Sequence, residues 1–580
     1  ERQNIDAYII PSSDPHQSEY VAEHWKSREW ISGFTGSAGT VVMTRNHLGL
    51  WTDSRYYIQA EKELQASGGS LHKMKGQESN PYINWIENQL PNNSTVGLDG
   101  RLFTVKQVRS FKNKLSNKKM VVDTKLDLIG KVWRDRPALP KASAMDYPVH
   151  YSGESREEKL MRVRQQMREE KTDALLVSAL DDIAWTLNIR GADVEFNPVV
   201  YAYLLIFKER AVLFIDKDKV SAELVTALGN AEVEVVDYDK TDTYLSTLAS
   251  DLSLWVDPAL VSHQLVEAVE NATIFEKSLP IQGMKAIKNE TEVQHIRHAM
   301  VKDGVALVHT FKWLEEEIQN RTVKETELAE KLAHFRSQQD SYKGESFAAI
   351  VGYKGNGAIV HYRAEEDSCA EIKAEGALLV DSGGQYLDGT TDITRTFHFD
   401  EPSDEFKEAY TRVLKGHIGL ARAIFPENTR GVQLDILARQ YLWDAAMNYG
   451  HGTGHGVGFY LNVHEPPQGF VPGLGQRGVT KFKKGMFTSN EPGYYKENEY
   501  GIRIENLVLA VEKEDNEHGR FLCFESLTLY PINTDLIQHE MLTEGERKWL
   551  NDYHHRVFQA LAPRLEQEER QWLKSQCAEI

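Results

Sequence analysis

The stretch GALLVDSGGQYLDGTTDITRTF, residues 376–397, constrains this chain more than any other. Its apolar run Ala377-Leu378-Leu379-Val380 reads as a strand buried on both faces, and it delivers a carboxylate, Asp381, into a Ser-Gly-Gly turn. Asp392 follows a second Gly-containing turn and opens another β-prone segment, Ile393 to Phe399. Two carboxylates can therefore meet across neighbouring strands. Left unpaired in a core they would repel each other and lose hydration, and a divalent cation is the simplest group that offsets both costs.

The 580 residues, 41% of them hydrophobic, can bury sizeable cores and divide into several domains. With 67 basic against 86 acidic side chains the formal charge is −19, which opposes phosphate backbones and anionic membranes, so neither nucleic acid nor membrane is expected as a partner. Cys369, Cys523 and Cys577 have no paired spacing, which suggests neither a disulfide framework nor a thiolate zinc site and fits a reducing cytosol. No apolar run has membrane-spanning length; the chain starts at Glu1 without Met, which leaves a removed leader open.

Strand and helix patterns alternate through the first segment, from Ala7-Tyr8-Ile9-Ile10 to Leu50-Trp51-Thr52-Asp53, as in an α/β domain. Gly33, Gly36 and Gly39 read as turn residues, since no Lys-Ser/Thr follows them to make a phosphate loop. Residues 134–155, with three prolines, read as a linker. Beyond it Ser155 with Glu158 forms a capping-box signal, and the same order of elements returns with diverged residues, a weak duplication of the first domain. Asn289 with Glu292 signals a long amphipathic helix, Thr322 with Glu325 signals the next, and the charged tail from about 540 reads as a helical appendage. The expected domains are 1–150, 151–285 and 286–580.

Further candidate ligands lie in the last of these. His455 sits among alternating glycines in His451-Gly-Thr-Gly-His455-Gly-Val-Gly458, where the backbone can approach a ligand closely. Glu491 follows Met486-Phe487, and Glu505 lies two residues after Arg503 on a β-patterned segment, where alternation puts both on one face. One imidazole and four carboxylates make a hard, oxygen-rich set, too large for one tetrahedral zinc and suited to two ions of the Mn or Co type. Taken singly, each residue also reads as a turn, cap or solvated surface group, and spacing leaves both readings open.

At these residues the sequence resembles the metallopeptidases of the pita-bread fold, which include methionine aminopeptidase, prolidase and aminopeptidase P. DSGGQY, DITRTF, HGTGHGVG, NEPGYY and RIEN stand in the family's order and carry its five ligands at Asp381, Asp392, His455, Glu491 and Glu505. PSSDPHQSEY, SGFTGSAGT, LWTDSRYY, the His361 segment and the region after Leu527 resemble the long, three-domain aminopeptidase P form. The placing of His464-Glu465 also favours that form over prolidase; creatinase shares the fold but lacks the metal ligands. The resemblance implies two related N-terminal α/β (creatinase-like) domains followed by a pita-bread catalytic domain.

It also implies removal of the first residue from peptides with proline at position 2. Two divalent ions, Mn²⁺ in the first instance and Co²⁺ or Zn²⁺ otherwise, would hold a bridging hydroxide that attacks the carbonyl. Asp381, Asp392 and Glu505 would hold one ion, and Asp392, His455, Glu491 and Glu505 the other, with Glu491 the proton acceptor. His361 and His464 match the histidines that hold the scissile carbonyl and assist proton transfer to the leaving nitrogen. His451 and Tyr495 would line the proline-side pocket, Arg503 would orient Asp381 or Glu505, and Arg55 matches a peptide-binding arginine of the N-terminal domain. A cytoplasmic homodimer is expected from the family. A prolidase confined to dipeptides and a non-catalytic pita-bread binding module are the alternatives, the second opposed by the intact ligand set.

Overall fold

The computed structural model describes residues 4–74 and 80–580. The chain forms two compact units, Glu1–Gln282 and Gly283–Ile580.

The first unit holds two six-stranded sheets of one topology. In the first, Ala7–Pro11 lies at the centre, antiparallel to Thr40–Thr44 and parallel to Thr95–Leu98. His47–Thr52, Ser70–Lys73 and Val121–Asp123 complete it. In the second, Ala174–Val177 takes the same position, antiparallel to Ala202–Phe207 and parallel to Ser253–Val256. Ala211–Ile215, Val233–Val236 and Thr273–Glu276 follow with the same pairing senses. The duplication read from the order of elements is thus a repeat of strand order and direction. Both central strands are buried along their whole length, as covered parallel-type strands must be, and this explains their continuous apolar runs.

The 134–155 stretch is only partly a linker. Met145–Asp146 pairs with Ile189–Arg190, and the Arg190 guanidinium lies 4.3 Å from the centre of the buried Tyr147 ring. A cation over an aromatic face anchors what the prolines alone suggest is loose. The Ser155/Glu158 capping box is formed and opens the helix Arg156–Glu169.

In the second unit Asn289 and Glu292 close the expected capping box on the helix Glu290–Glu317. The Thr322/Glu325 signal fails: the next helix, Glu325–Ser337, has no side-chain cap, because the Glu325 carboxylate is buried and bonded elsewhere. A three-stranded antiparallel sheet pairs Ile350–Tyr353, Ala377–Ser382 and Ile393–His398. A six-stranded sheet runs Ile424–Pro426, Gly519–Ser526, Asn506–Asn516, Phe487–Asn490, Gly454–Gly456, Glu465–Phe470. The helices Glu544–Leu561 and Gln567–Gln576 of the charged tail pack on Glu290–Glu317, so the tail is part of this unit's core rather than an appendage.

Candidate metal centre

Asp381 lies inside its strand rather than on the turn beyond it, opposite Thr394 of Ile393–His398, and Asp392 immediately precedes that second strand. The two aspartates therefore stand one within and one at the entry of adjacent antiparallel strands, so they can meet as their spacing predicts. Glu505 occupies the break between Tyr500–Arg503 and Asn506–Asn516, and its N–H donates to the Thr394 carbonyl at 3.1 Å. Glu491 follows Phe487–Asn490, its N–H donating to Thr453 at 2.8 Å. His455 is the middle residue of Gly454–Gly456. A Cβ on Gly454 would stand 1.9 Å from the Ser489 carbonyl oxygen, and one on Gly456 2.3 Å from that of Glu465. Glycine on both sides is what lets the His455 strand press between its neighbours.

Ligand atoms of Asp392, His455 and Glu505 all lie within 4.8 Å of one another, and His455 Nε2 is 3.5 Å from Asp392 Oδ2 and 3.5 Å from Glu491 Oε1. His455 Nδ1 donates to the Gly456 carbonyl at 2.9 Å, which orients the ring and leaves Nε2 as the nitrogen facing the carboxylates. Asp381 is drawn into the same group by Arg503, whose guanidinium donates to Asp381 Oδ2 at 2.7 Å and to Tyr495 Oη at 2.7 Å. Asp381 Oδ1 is buried and accepts no hydrogen bond among the described residues.

The electrostatics follow from this crowding. Burial first, then Glu505, Asp381 and Glu491, raise the Asp392 pKa well above the carboxylate range, and burial, Asp381 and Glu491 do the same to Glu505. Burial lifts Glu491 to about 7 against the opposing pull of Arg503. Burial alone would lower the Arg503 pKa; Tyr495, Asp381 and Glu491 more than offset it, so the guanidinium is held firmly charged. One arginine cannot balance four converging carboxyls. With an orphaned buried oxygen on Asp381 and an imidazole nitrogen facing the carboxylates, the donor set fits divalent cations of hard-to-borderline character.

Further hydrogen bonds hold these groups in place. Arg503 Nε donates to Thr394 Oγ1 at 3.1 Å, and that hydroxyl donates to Glu505 Oε2 at 2.8 Å. Tyr495 Oη meets His451 Nε2 at 2.7 Å, and His451 Nδ1 donates to the Gly452 carbonyl at 2.7 Å. Arg503 donates to Tyr495, and Tyr495 and His451 are thereby joined to the cluster through Arg503. His464 stands edge-on to His455 with ring centres 4.3 Å apart, and the next residue, Glu465, is buried in an ion pair with Lys288 at 2.5 Å.

His361 lies half-buried on the turn after the short helix Lys354–Ala358. Its loop is held by Glu325, which accepts from Tyr353 N–H at 2.7 Å, Asn356 Nδ2 at 3.0 Å, Tyr362 Oη at 2.8 Å and Ala370 N–H at 2.7 Å. That helix packs against Tyr500–Arg503: a Cβ on Gly501 would fall 1.8 Å from the Gly357 carbonyl oxygen. Arg55 belongs to the first unit, where Asp53 takes its guanidinium by two hydrogen bonds of 2.8 Å.

Sequence reasoning missed Thr394, Glu325 and Arg395. Arg395 is buried and spans the Thr394, Glu505, Tyr530 and Pro531 carbonyls together with Asn506 Oδ1 and Tyr553 Oη, at 2.6–3.0 Å. It ties the chain beside Asp392 and Glu505 to the helix Glu544–Leu561. Its signal in the sequence is a charged residue within a β-prone segment.

Residues 294–512 match the Metallopeptidase family M24, residues 520–580 its C-terminal region, and residues 1–128 and 135–292 the Creatinase/Prolidase N-terminal domain. The chain is 41% identical to "Aminopeptidase P2" of Arabidopsis thaliana over 98% of this chain and 85% of that protein. It is 40% identical to "Xaa-Pro aminopeptidase ApepP" of Drosophila melanogaster over 99% and 96%. A solved X-prolyl aminopeptidase of Caenorhabditis elegans, described as a cytosolic enzyme with a di-nuclear active site, superposes with a TM-score of 0.94 at 34% identity, over 99% of this chain and 95% of that one. The Xaa-Pro dipeptidase of Bacillus anthracis matches only 65% of this chain, with a TM-score of 0.52 and 24% identity, and shares the fold alone. With every region matched and relatives aligned nearly end to end, the chain belongs to the metallopeptidase family M24, in the aminopeptidase P group that carries two creatinase/prolidase-type N-terminal domains.

Proposed function

We propose that this chain is a metalloaminopeptidase that hydrolyses the N-terminal Xaa-Pro bond of peptides with proline at position 2. The observation that carries the reading is the convergence of Asp392, His455 and Glu505, with Glu491 3.5 Å from the same imidazole nitrogen, in a chain aligned throughout with Xaa-Pro aminopeptidases. An Xaa-Pro bond is a tertiary amide without an N–H, so an enzyme that grips the backbone through that donor handles it poorly, and a dedicated site is required.

Asp381, Asp392 and Glu505 would hold one divalent ion and Asp392, His455, Glu491 and Glu505 a second, Mn²⁺ before Co²⁺ or Zn²⁺. Two ions so held supply an activated water and polarise the scissile carbonyl. Glu491, within 3.5 Å of the His455 imidazole, would accept the proton released from that water. His464, beside His455, and His361, on the loop fastened by Glu325, hold the carbonyl oxygen and return a proton to the proline nitrogen. Arg503 aims Asp381, Tyr495 and His451 form the wall on the proline side, and Arg55 serves peptide binding from the first unit. The proposal includes a cytosolic homodimer: the C. elegans relative is described as cytosolic, and no helix among the described residues is long and apolar enough to cross a membrane. A single-chain mass in light scattering would remove the dimer.

Metal-stripped protein re-supplied with Mn²⁺ should cleave Arg-Pro-Pro after arginine, and Glu491→Ala should lose about 10²–10⁴-fold in kcat. Cleavage of Gly-Pro but not the tripeptide would point instead to a dipeptidase. Folded protein inactive with every divalent ion would point to a binding module.

A further inference from the structure

A different cluster of ligating side chains lies in the first unit, at the edge of its first sheet. His47 opens the strand His47–Thr52, and His72 sits on the edge strand Ser70–Lys73, which runs parallel to it with His72 beside Trp51. Alternation along the strand puts His47, Gly49 and Trp51 on one face. There His47 Nε2 and His72 Nε2 approach to 3.0 Å. Each imidazole is braced by an indole: Trp51 stacks on His72 with ring centres 3.9 Å apart and 8° between planes, and Trp85, from the helix Pro81–Gln89, stacks on His47 at 4.7 Å.

Gly49 is part of this construction. A Cβ there would stand 2.6 Å from His47 Nε2 and 2.6 Å from the Trp51 ring, so only glycine lets His47 lie across the strand towards His72. Lys73 turns to the opposite face and pairs with Glu61 at 2.6 Å, which removes its charge from the two imidazoles. Both histidines are half-buried and reachable from solvent. Burial lowers the pKa of each, with His47 lowering His72 further, so both rings are neutral at neutral pH, the form that binds metal.

An N–H···N hydrogen bond is the simplest use of such a pair, but the spacing has a second meaning. Two nitrogens 3.0 Å apart, each about 2.0–2.1 Å from a common ion, subtend an angle of roughly 90–100° at it, the angle between neighbouring ligands in square-planar or octahedral geometry. We propose that His47 and His72 form an accessory site for a borderline transition-metal ion of the Cu²⁺ and Ni²⁺ class, chemically distinct from the carboxylate-rich centre of the second unit. The ion takes the place of the shared proton: the donor ring gives up its Nε2 proton and is reprotonated by solvent at Nδ1, so both rings remain neutral. Water fills the remaining positions. All-imidazole donors favour copper over manganese by ligand softness and by the general order of divalent affinities. The proposal does not depend on the peptidase reading.

The test is a Cu²⁺ titration of full-length, Mn²⁺-loaded protein, wild type beside His47→Gln, His72→Gln and Gly49→Ala. Wild type should bind one more Cu²⁺ per chain than either histidine variant, whatever copper enters the carboxylate centre. Its electron paramagnetic resonance signal should show coupling to two nitrogens that is lost in each. Mn²⁺-dependent peptidase activity should be unchanged in both. Gly49→Ala keeps both imidazoles but turns His47 aside, and should weaken this binding about tenfold. Equal copper uptake by wild type and both histidine variants, or the two-nitrogen signal persisting in either, would overturn the proposal. The two single variants answer the question separately, so one that fails to fold leaves the other decisive.

Discussion

Thr394 shows how much of the metal centre depends on a residue with no charge. Its hydroxyl accepts from Arg503 and donates to Glu505, and its carbonyl accepts the Glu505 N–H, so one threonine sets the distance between the arginine that aims Asp381 and a carboxylate on the other strand. Valine has nearly the same shape and none of these side-chain bonds. Thr394→Val should therefore keep the fold while Mn²⁺ affinity falls about 10–100-fold in calorimetry, and an unchanged affinity would show that the hydroxyl does not position the ligands. In the sequence Thr394 is indistinguishable from any β-branched strand residue. His455 stands between two glycines and Glu491 before a proline, but Asp381, Asp392 and Glu505 have no such neighbour, and the five ligands were legible as a set through the order of the family's motifs that carry them. Thr394 acts through partners 109 and 111 positions away, which local pattern does not register.

At the scale of the element, the same difference separates helix caps from the loop around His361. Ser155 and Asn289 were read correctly because a capping box is completed within four residues. Glu325 has the spacing of a cap and is used otherwise, since four donors from 353–370 outbid the helix end for one buried carboxylate. Glu325→Ala leaves those donors unpaired and should cost about 2–4 kcal/mol in urea unfolding. With His361 no longer held in place, kcat should fall on the order of 10²-fold while bound Mn²⁺ is unchanged. Loss of metal together with activity would mean that the loop supports the ligands instead. The charged tail was legible as helix from its periodicity. Its role as a brace was not, because the Arg395 contacts to Tyr530, Pro531 and Tyr553 exist only once the strands are assembled.

Across the whole molecule the carboxyl cluster sets a dependence on pH. Asp392, Glu505 and Glu491 bind protons more tightly folded than unfolded, so in chelator-treated protein each favours folding most when protonated. Stability of the stripped protein should be highest near the ordinary carboxylate range and fall by a few kcal/mol as pH rises through about 7. Mn²⁺, which displaces those protons, should remove the slope. Urea midpoints measured across that range with and without Mn²⁺ decide it; a stripped protein that gains stability over the same interval would contradict the assignment. The repeated sheets of the first unit bear on how the chain reaches this structure. In each copy two hairpin strands, Thr40–Thr44 with His47–Thr52 and Ala202–Phe207 with Ala211–Ile215, are joined by a few residues. The parallel partner of each central strand, Thr95–Leu98 or Ser253–Val256, arrives only after most of its domain has been made. Loop-closure entropy therefore orders assembly the same way twice: each hairpin can form on the ribosome while its sheet is half synthesised, and each centre waits exposed on one edge until the late strand closes it.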